Sequence, residues 1–197
     1  MHTASFAEDI DPTCSRFEIC LMADTVPFPP PGFDGLSVDE KIARDVQALS
    51  HGLHSSKLAL LGIAAAAKLF CDECSRQQNV SISCQTSDIP SQLPSTVSLT
   101  LFRILQEALH NSAKHGGPRH CCVRLWAANG WIHLVVDDDG AGFDVAGAVR
   151  GGGIGLLTME ERIKLVGGVL AITSQPRRGT TIYAGAPLTG VEAEDVS

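Results

Sequence analysis

The chain has 197 residues, 44% of them hydrophobic and 19% charged, and a formal net charge of −7. This is an ordinary soluble composition, long enough for one or two domains with a real core. The charge is uneven: residues 1–40 hold eight carboxylates against Arg16 alone, while the rest balances at fourteen of each sign. With no Lys/Arg run, this argues against nucleic acid and anionic membranes as partners.

In chain order, the N-terminus shows neither a basic n-region nor an apolar h-region, so no signal peptide is expected and the protein is expected to be cytoplasmic. Residues 1–36 include 27-PFPPPGF-33, whose prolines block helix and sheet alike, and are read as an irregular or disordered leader. The spacing of 37-SVDE-40 is that of a capping box. Val38, Ile42, Val46, Leu49 and Leu53 then keep helical spacing to about His54. Gly62 interrupts, and an alanine-rich helix should run from Ile63 to about Gln77. The apolar run 58-LALLGIAAAA-67 is too short to span a membrane, which needs about 18 residues, so no direct membrane insertion is expected. Seven cysteines without framework spacing are read as free thiols, and 71-CDEC-74 as helical filler, since a zinc site would want further ligands nearby.

Residues 79–84 alternate apolar and polar, as a half-buried strand does, and Pro90 and Pro94 punctuate the loop that follows. The next helix has Ser95 or Ser98 as candidate cap and Leu101, Ile104, Leu105, Ala108 and Ser112 as its inward face. Glu107, Asn111 and His115 form a polar stripe on the border of that face. His110 lies off the stripe and is expected to be exposed. Strands 120-HCCVRLW-126 and 131-WIHLVV-136 flank an Asn129-Gly130 turn, and the second runs into 137-DDDGAGF-143. A Gly-rich segment, a helix in 156-LLTMEERIKLVGG-168 and a hairpin of 169–174 with 180–186 around Pro176 and Gly179 complete the chain, before an acidic tail at 190–197.

The glycine clusters do not match the common phosphate loops. GxxxxGK[ST] is absent, neither cluster completes GxGxxG, and Asp137–Gly140 fails as a calcium loop at Ala141 and at the missing closing Glu. What remains is an ordered set: ExxxNxxxH on a helix, DxGxG at a strand end (Asp138, Gly140, Gly142), GxG before a helix (Gly153, Gly155) and Gly179-Thr180 opening a strand. Over about Val97 to Leu188, this order resembles the GHKL ATPase superfamily, specifically the catalytic domain of sensor histidine kinases.

The resemblance implies an α/β two-layer sandwich of the GHKL/Bergerat kind: a mixed, mainly antiparallel sheet with helices on one face. It implies ATP and Mg2+ as cofactors. Asp138 would accept from the adenine amine, with Gly140 and Gly142 shaping the turn and Asp137 and Asp139 as solvated neighbours. Gly153, Gly155, Leu156 and Thr180 would line the nucleotide site, the helix N-terminus facing phosphate. Asn111 would hold Mg2+ through its amide oxygen, Glu107 would be the catalytic base or water-positioner with a possible water-mediated metal contact, and Lys114 and His115 would face phosphate. Glu107 and Asn111 taken alone would be a solvated helix flank, and His115 a partner of the helix dipole.

Upstream, residues 45–70 look like the second helix of the dimerisation hairpin in NarX- and DesK-like kinases, with residues 37–60 as a partial dimerisation helix and 61–189 as the catalytic domain. That kinship implies a response regulator, usually with helix-turn-helix output, as partner, and a homodimer or partner kinase chain. The family's acceptor histidine has no counterpart here: in 41-KIARDVQ-47, Gln47 falls where histidine should be, and His51 and His54 match later positions. The chain thus looks like a kinase shortened before its acceptor helix, or one beginning with unrelated sequence. The alternative is a non-kinase regulator of the same fold, of anti-sigma-factor type; a chaperone or topoisomerase ATPase would need a longer lid and a transducer domain.

Overall fold

A computed structural model describes residues 38–150 and 154–189. The leader, Ser37, Gly153 and the acidic tail lie outside the described residues. The chain divides into two compact units, Met1–Val46 and Gln47–Ser197; the described part of the first is helical.

Helix α1 spans Val38–Gln78 and breaks once, at Gly62 (φ 75°, ψ 166°). A Cβ at Gly62 would meet nothing within 4 Å, so the backbone angle, not crowding, requires glycine there. Helix continues past His54, where the apolar spacing suggested an end, because 57-KLALL-61 consists of good helix formers and contains no breaker. Beyond the kink, Ile63, Ala66, Ala67, Cys71 and Cys74 bury one face. Asn79, with φ 54°, ends the helix, and β1 follows at Ser81–Ser87 with alternating burial.

Helix α2, Ser95–Asn111, buries Val97, Leu101, Phe102, Ile104, Leu105, Ala108 and Leu109. Its cap is neither Ser95 nor Ser98. Pro94 occupies the position in an extended conformation (φ −52°, ψ 130°), makes no side-chain cap bond, and its carbonyl accepts the Ser98 N–H at 3.0 Å. A proline already held at the helix-compatible φ starts the ladder without a hydroxyl. The helix then widens into one π-helical turn, Ser112–Gly116, closed by Gly117 in the left-handed region.

Strands β2 (His120–Ala128) and β3 (Trp131–Asp138) pair across Asn129 and Gly130, both at positive φ as a two-residue hairpin requires. A short helix α3 (Val145–Arg150) precedes α4 (Ile154–Leu165). Helix α4 ends in a Schellman motif: Gly168 N–H bonds Ile163 O at 2.9 Å and Gly167 N–H bonds Lys164 O at 3.0 Å, with Gly167 at φ 64°. Strands β4 (Val169–Ser174) and β5 (Thr180–Pro187) complete a five-stranded sheet of order β1-β2-β3-β5-β4, in which β1 and β2 are parallel and the other pairs antiparallel.

The architecture is the expected mixed, mainly antiparallel sheet under a helical layer. Val123, Leu125, Ile132, Leu134, Val136, Ile182, Ala184 and Ala186 join the buried residues of α1, α2 and α4 in a single core, where Phe70 and Phe102 meet edge to face at 5.7 Å. The opposite face of the sheet carries Trp126 stacked on His133 (5.0 Å), whose Nδ1 lies 2.9 Å from the Tyr183 hydroxyl. No helix among the described residues is long and apolar enough to cross a membrane.

Candidate functional site

The polar stripe of α2 and the N-terminus of α4 meet at a glycine. Asn111 Nδ2 donates to Glu107 Oε1 at 3.1 Å, one turn apart on the helix. A Cβ on Gly155 would stand 2.2 Å from Glu107 Oε1 and 3.2 Å from Asn111 Nδ2. Glycine at 155 therefore lets the first turn of α4, with its unpaired N–H groups, close directly onto the carboxylate–amide pair.

Asp138 ends β3, and three glycines from distant parts of the sequence converge behind it. Gly140 N–H donates to Asp138 Oδ1 at 2.9 Å. A Cβ on Gly140 would lie 2.8 Å from Gly116 O, and one on Gly179 (φ +71°) only 1.9 Å from Asp138 O. The loop is tied on both sides: Ala141 N–H bonds Gly116 O at 2.8 Å, Gly179 N–H bonds Gly140 O at 3.0 Å, and Arg177 N–H bonds Ala141 O. Ser174 Oγ accepts from Phe143 N–H at 2.9 Å and donates to Gly179 O at 3.0 Å, with Thr180 Oγ1 also 3.0 Å away. Gly142 is at φ +59° with Gln175 O where a Cβ would go. The DxGxG segment is thus held as a fixed shelf.

Burial pushes the Asp138 carboxyl up from its ordinary pKa, while hydrogen bonds from Gly140 N–H, the Ser112 hydroxyl and Thr180 N–H pull the other way. Its neighbours are not merely solvated, as the sequence suggested. Asp139 is exposed, but its Oδ1 accepts from Arg119 N–H at 2.7 Å and His120 N–H at 2.9 Å. Desolvation pushes its carboxyl up, but those backbone bonds together with the nearby His120 hold its pKa below the ordinary value. Asp137 Oδ1 accepts from the Thr181 hydroxyl on the paired strand. Each aspartate has partners because the strand end packs against backbone on both sides.

Among the residues expected to line a site, Glu107, Asn111 and Gly155 come together, and Asp138, Gly140, Gly142 and Thr180 form a second group. Leu156 follows Gly155, half-buried, in the first turn of α4. Lys114 and His115 are exposed on the π turn; Lys114 also lines an open cleft of about 390 Å3, with Gln78, Asn79 and His110, on the α1 side of that turn. His110 is exposed, as expected. Two residues acquire contacts that the sequence reading did not anticipate, although it placed Ser112 on the inward face of the helix. Ser112 is buried, with Oγ 3.4 Å from Cys121 Sγ, and Gly116 is the carbonyl anchor of the Asp138 loop. Among the described residues no cluster of three or more His, Cys, Asp or Glu could hold a metal ion by itself, so a cation here would have to share its shell with a ligand's own oxygens.

Known proteins resemble this chain. Residues 96–190 match the family described as histidine kinase-, DNA gyrase B-, and HSP90-like ATPase. The sensor histidine kinase MctS of Rhizobium johnstonii is 33% identical over 146 residues, which are 73% of this chain and 32% of that protein. The histidine kinase domain of the Erythrobacter litoralis EL346 blue-light activated histidine kinase shares the fold with a TM-score of 0.57 at 17% identity, over 77% of this chain and 78% of that one. Full-length ShkA in complex with AMPPNP does so with a TM-score of 0.55 at 15% identity, over 81% of this chain and 41% of that one. The chain spans between 23% and 43% of the length of five curated relatives it matches. Residues 96–190 form a domain of the histidine kinase-, DNA gyrase B-, and HSP90-like ATPase family, and the chain is similar to sensor histidine kinases over about three quarters of its length.

Proposed function

We propose that the chain is the catalytic part of a two-component sensor histidine kinase of the NarX/DesK-like kind, transferring the γ-phosphoryl group of Mg-ATP to a histidine and from there to a response regulator with helix-turn-helix output. The observation that carries this is the closure of Gly155 onto the Glu107–Asn111 pair, beside a shelf that presents Asp138. The named relatives favour a kinase over a non-catalytic regulator of the same fold.

In this reading, residues 61–189 are the catalytic domain, 37–60 the partial dimerisation helix that joins a homodimer or partner kinase chain, 1–36 a leader and 190–197 a tail, all on the cytoplasmic side. Asp138 accepts from the adenine amine, and Gly140, Gly142 and Thr180 bring backbone and hydroxyl to the base. The N–H groups of the first turn of α4, around Gly155 and Leu156, with Gly153 before them, bind phosphate oxygens, and Lys114 and His115 face phosphate, the lysine supplying positive charge. Bound Mg-ATP supplies the phosphoryl group and a cation that offsets charge on its oxygens. Because Asn111 Nδ2 is committed to Glu107, the amide's carbonyl oxygen remains to hold the cation. Glu107, fixed by the same bond, takes the proton of the attacking imidazole, or positions water between itself and the cation.

Gln47 stands where the family's acceptor would be, so the histidine comes from another helix. The test incubates the purified chain with γ-labelled ATP and Mg2+, with and without the dimerisation hairpin of a related kinase. Acid-labile, base-stable label is expected on the added hairpin, absent with Glu107→Gln, and absent from the chain alone, since positioning is most of this catalysis. No transfer to any hairpin while ATP binds would refute the kinase reading. Label on the chain itself, lost on replacing His51 or His54, would show that the acceptor lies within it.

A further inference from the structure

Three strands place one row of polar residues at the end of the sheet. Asp138 of β3 lies directly opposite Thr180 of β5, and Thr180 directly opposite Ser174 of β4. Residues so paired point to the same face, and two positions further along their strands Val136, Ile182 and Ile172 put that face against the core. The three side chains therefore stand side by side on the helix-covered side of the sheet.

Ser174 uses every hydrogen-bonding capacity it has, since a serine hydroxyl offers one proton and two lone pairs. Gly179 O, 3.0 Å away, is a carbonyl and can only accept, so the Ser174 proton goes there. One lone pair takes the Phe143 N–H at 2.9 Å. The other faces Thr180 Oγ1 at 3.0 Å, and with the serine proton already placed, the Thr180 hydroxyl is the donor of that pair. The Thr180 proton thus points to Ser174, and its oxygen has only lone pairs left to offer. Beside it, Asp138 Oδ1 accepts the Gly140 N–H at 2.9 Å, and an ionised carboxylate likewise offers acceptors alone.

We propose that Ser174 is a positioning residue for base selection: by holding the Thr180 proton it makes that hydroxyl a second acceptor next to the Asp138 carboxylate, so this end of the sheet takes a base edge that brings two N–H donors, an exocyclic amine. The inference rests on the reading that Asp138 and Thr180 face the base. A hydroxyl free to rotate pairs with donor or acceptor alike. One whose proton is held leaves an unpaired acceptor when the ligand has no donor, which is costly in a desolvated site.

The test compares, by calorimetry, Mg-ADP with the Mg2+ complex of purine riboside diphosphate, which carries hydrogen where adenine carries the amine. The proteins are wild type, Ser174→Ala, Ser174→Thr, Thr180→Val, Asp138→Asn and the Ser174→Ala/Thr180→Val double variant. Wild type should prefer ADP. Ser174→Ala is expected to weaken Mg-ADP about fivefold and the analogue by less than about twofold, so that the preference falls. Ser174→Thr, which keeps the hydroxyl, should restore it. Thr180→Val, near-isosteric without the hydroxyl, should lower the preference as much, and adding Ser174→Ala to it should lower it no further. Ser174 also ties Phe143 to Gly179, and a role confined to holding those loops would weaken both nucleotides equally. An unchanged preference in Ser174→Ala, with Mg-ADP binding lost in Asp138→Asn, would overturn the role of Ser174 and leave the site intact. If Ser174→Ala does not fold, Thr180→Val decides in its place, and an unchanged preference there overturns the proposal. Unchanged Mg-ADP affinity in Asp138→Asn would remove the reading beneath it as well.

Discussion

Gly155 shows how one hydrogen atom in place of a methyl can matter to chemistry more than to folding. The atom a Cβ would strike, Glu107 Oε1, is the far end of a flexible side chain, so in Gly155→Ala the carboxylate swings aside and the fold survives. The expected result is a loss of about 1 kcal/mol or less in stability, from one hydrogen bond. Transfer to a supplied hairpin should fall about a hundredfold, since a misplaced base is costly. A thermal melt and a rate assay on the same sample separate the two. Asp138 makes a second prediction. Burial raises its pKa, so the free protein begins to protonate it at a higher pH than an ordinary carboxylate, and Mg-ADP affinity should fall on acidification before exposed carboxylates titrate. Asp138→Asn should lose that dependence along with most of the affinity. Glu107, Asn111 and Asp138 could be singled out in the sequence as polar residues at helical spacing and a carboxylate before glycines, while the roles expected of them came from the resemblance and not from those local patterns. The contacts of Ser112 and Gly116 could not be read there, because small residues acquire a role only from what the fold lays across them.

At the scale of elements, α2 carries most of the burden, with one face in the core and its edge on the site. Phe102, 2% exposed and in ring contact with Phe70, is the largest of its buried side chains. Phe102→Ala should cost about 3–5 kcal/mol by urea unfolding. The break in α1 falls at Gly62, where the sequence reading placed an interruption and where glycine permits an angle other residues avoid, although Gly52 in the same helix makes no break. The π turn could not: nothing in 112-SAKHG-116 differs in propensity from an α-helical ending, and the widening follows from the packing of Ser112 and the anchoring of Gly116. The Pro94 cap was missed because a serine nearby is the commoner solution. On the far face of the sheet, burial lowers the His133 pKa, opposed by a backbone hydrogen bond with Ala128. The folded state then binds fewer protons than the unfolded one. Its contribution to stability is present above the ordinary value of 6.5 and is lost as pH falls through the lower folded value. Denaturant titrations at pH 7 and pH 5 should show wild type losing stability relative to His133→Gln, which does not titrate; parallel losses would show that His133 contributes nothing to the pH dependence.

For the molecule as a whole, the order of motifs along the chain carried more than any one of them. A helix with Glu and Asn, a strand ending in Asp before glycines, a glycine opening a second helix and a Gly-Thr strand start are each common. The strand order β1-β2-β3-β5-β4 brings the strand motifs to one end of one sheet, where Asp138 of β3 pairs with Thr180 of β5. In the proposed reading this end of the sheet binds Mg-ATP, with the base at Asp138 and the cation at Asn111. The most direct measurement is a calorimetric titration of wild type, Asp138→Asn and Asn111→Ala with ADP, each in Mg2+ and in EDTA. Wild type should bind in a one-to-one ratio and more tightly with Mg2+, Asp138→Asn should lose binding in both buffers, and Asn111→Ala should bind equally with and without the metal. ADP affinity and Mg2+ dependence in both variants indistinguishable from wild type would contradict the claim.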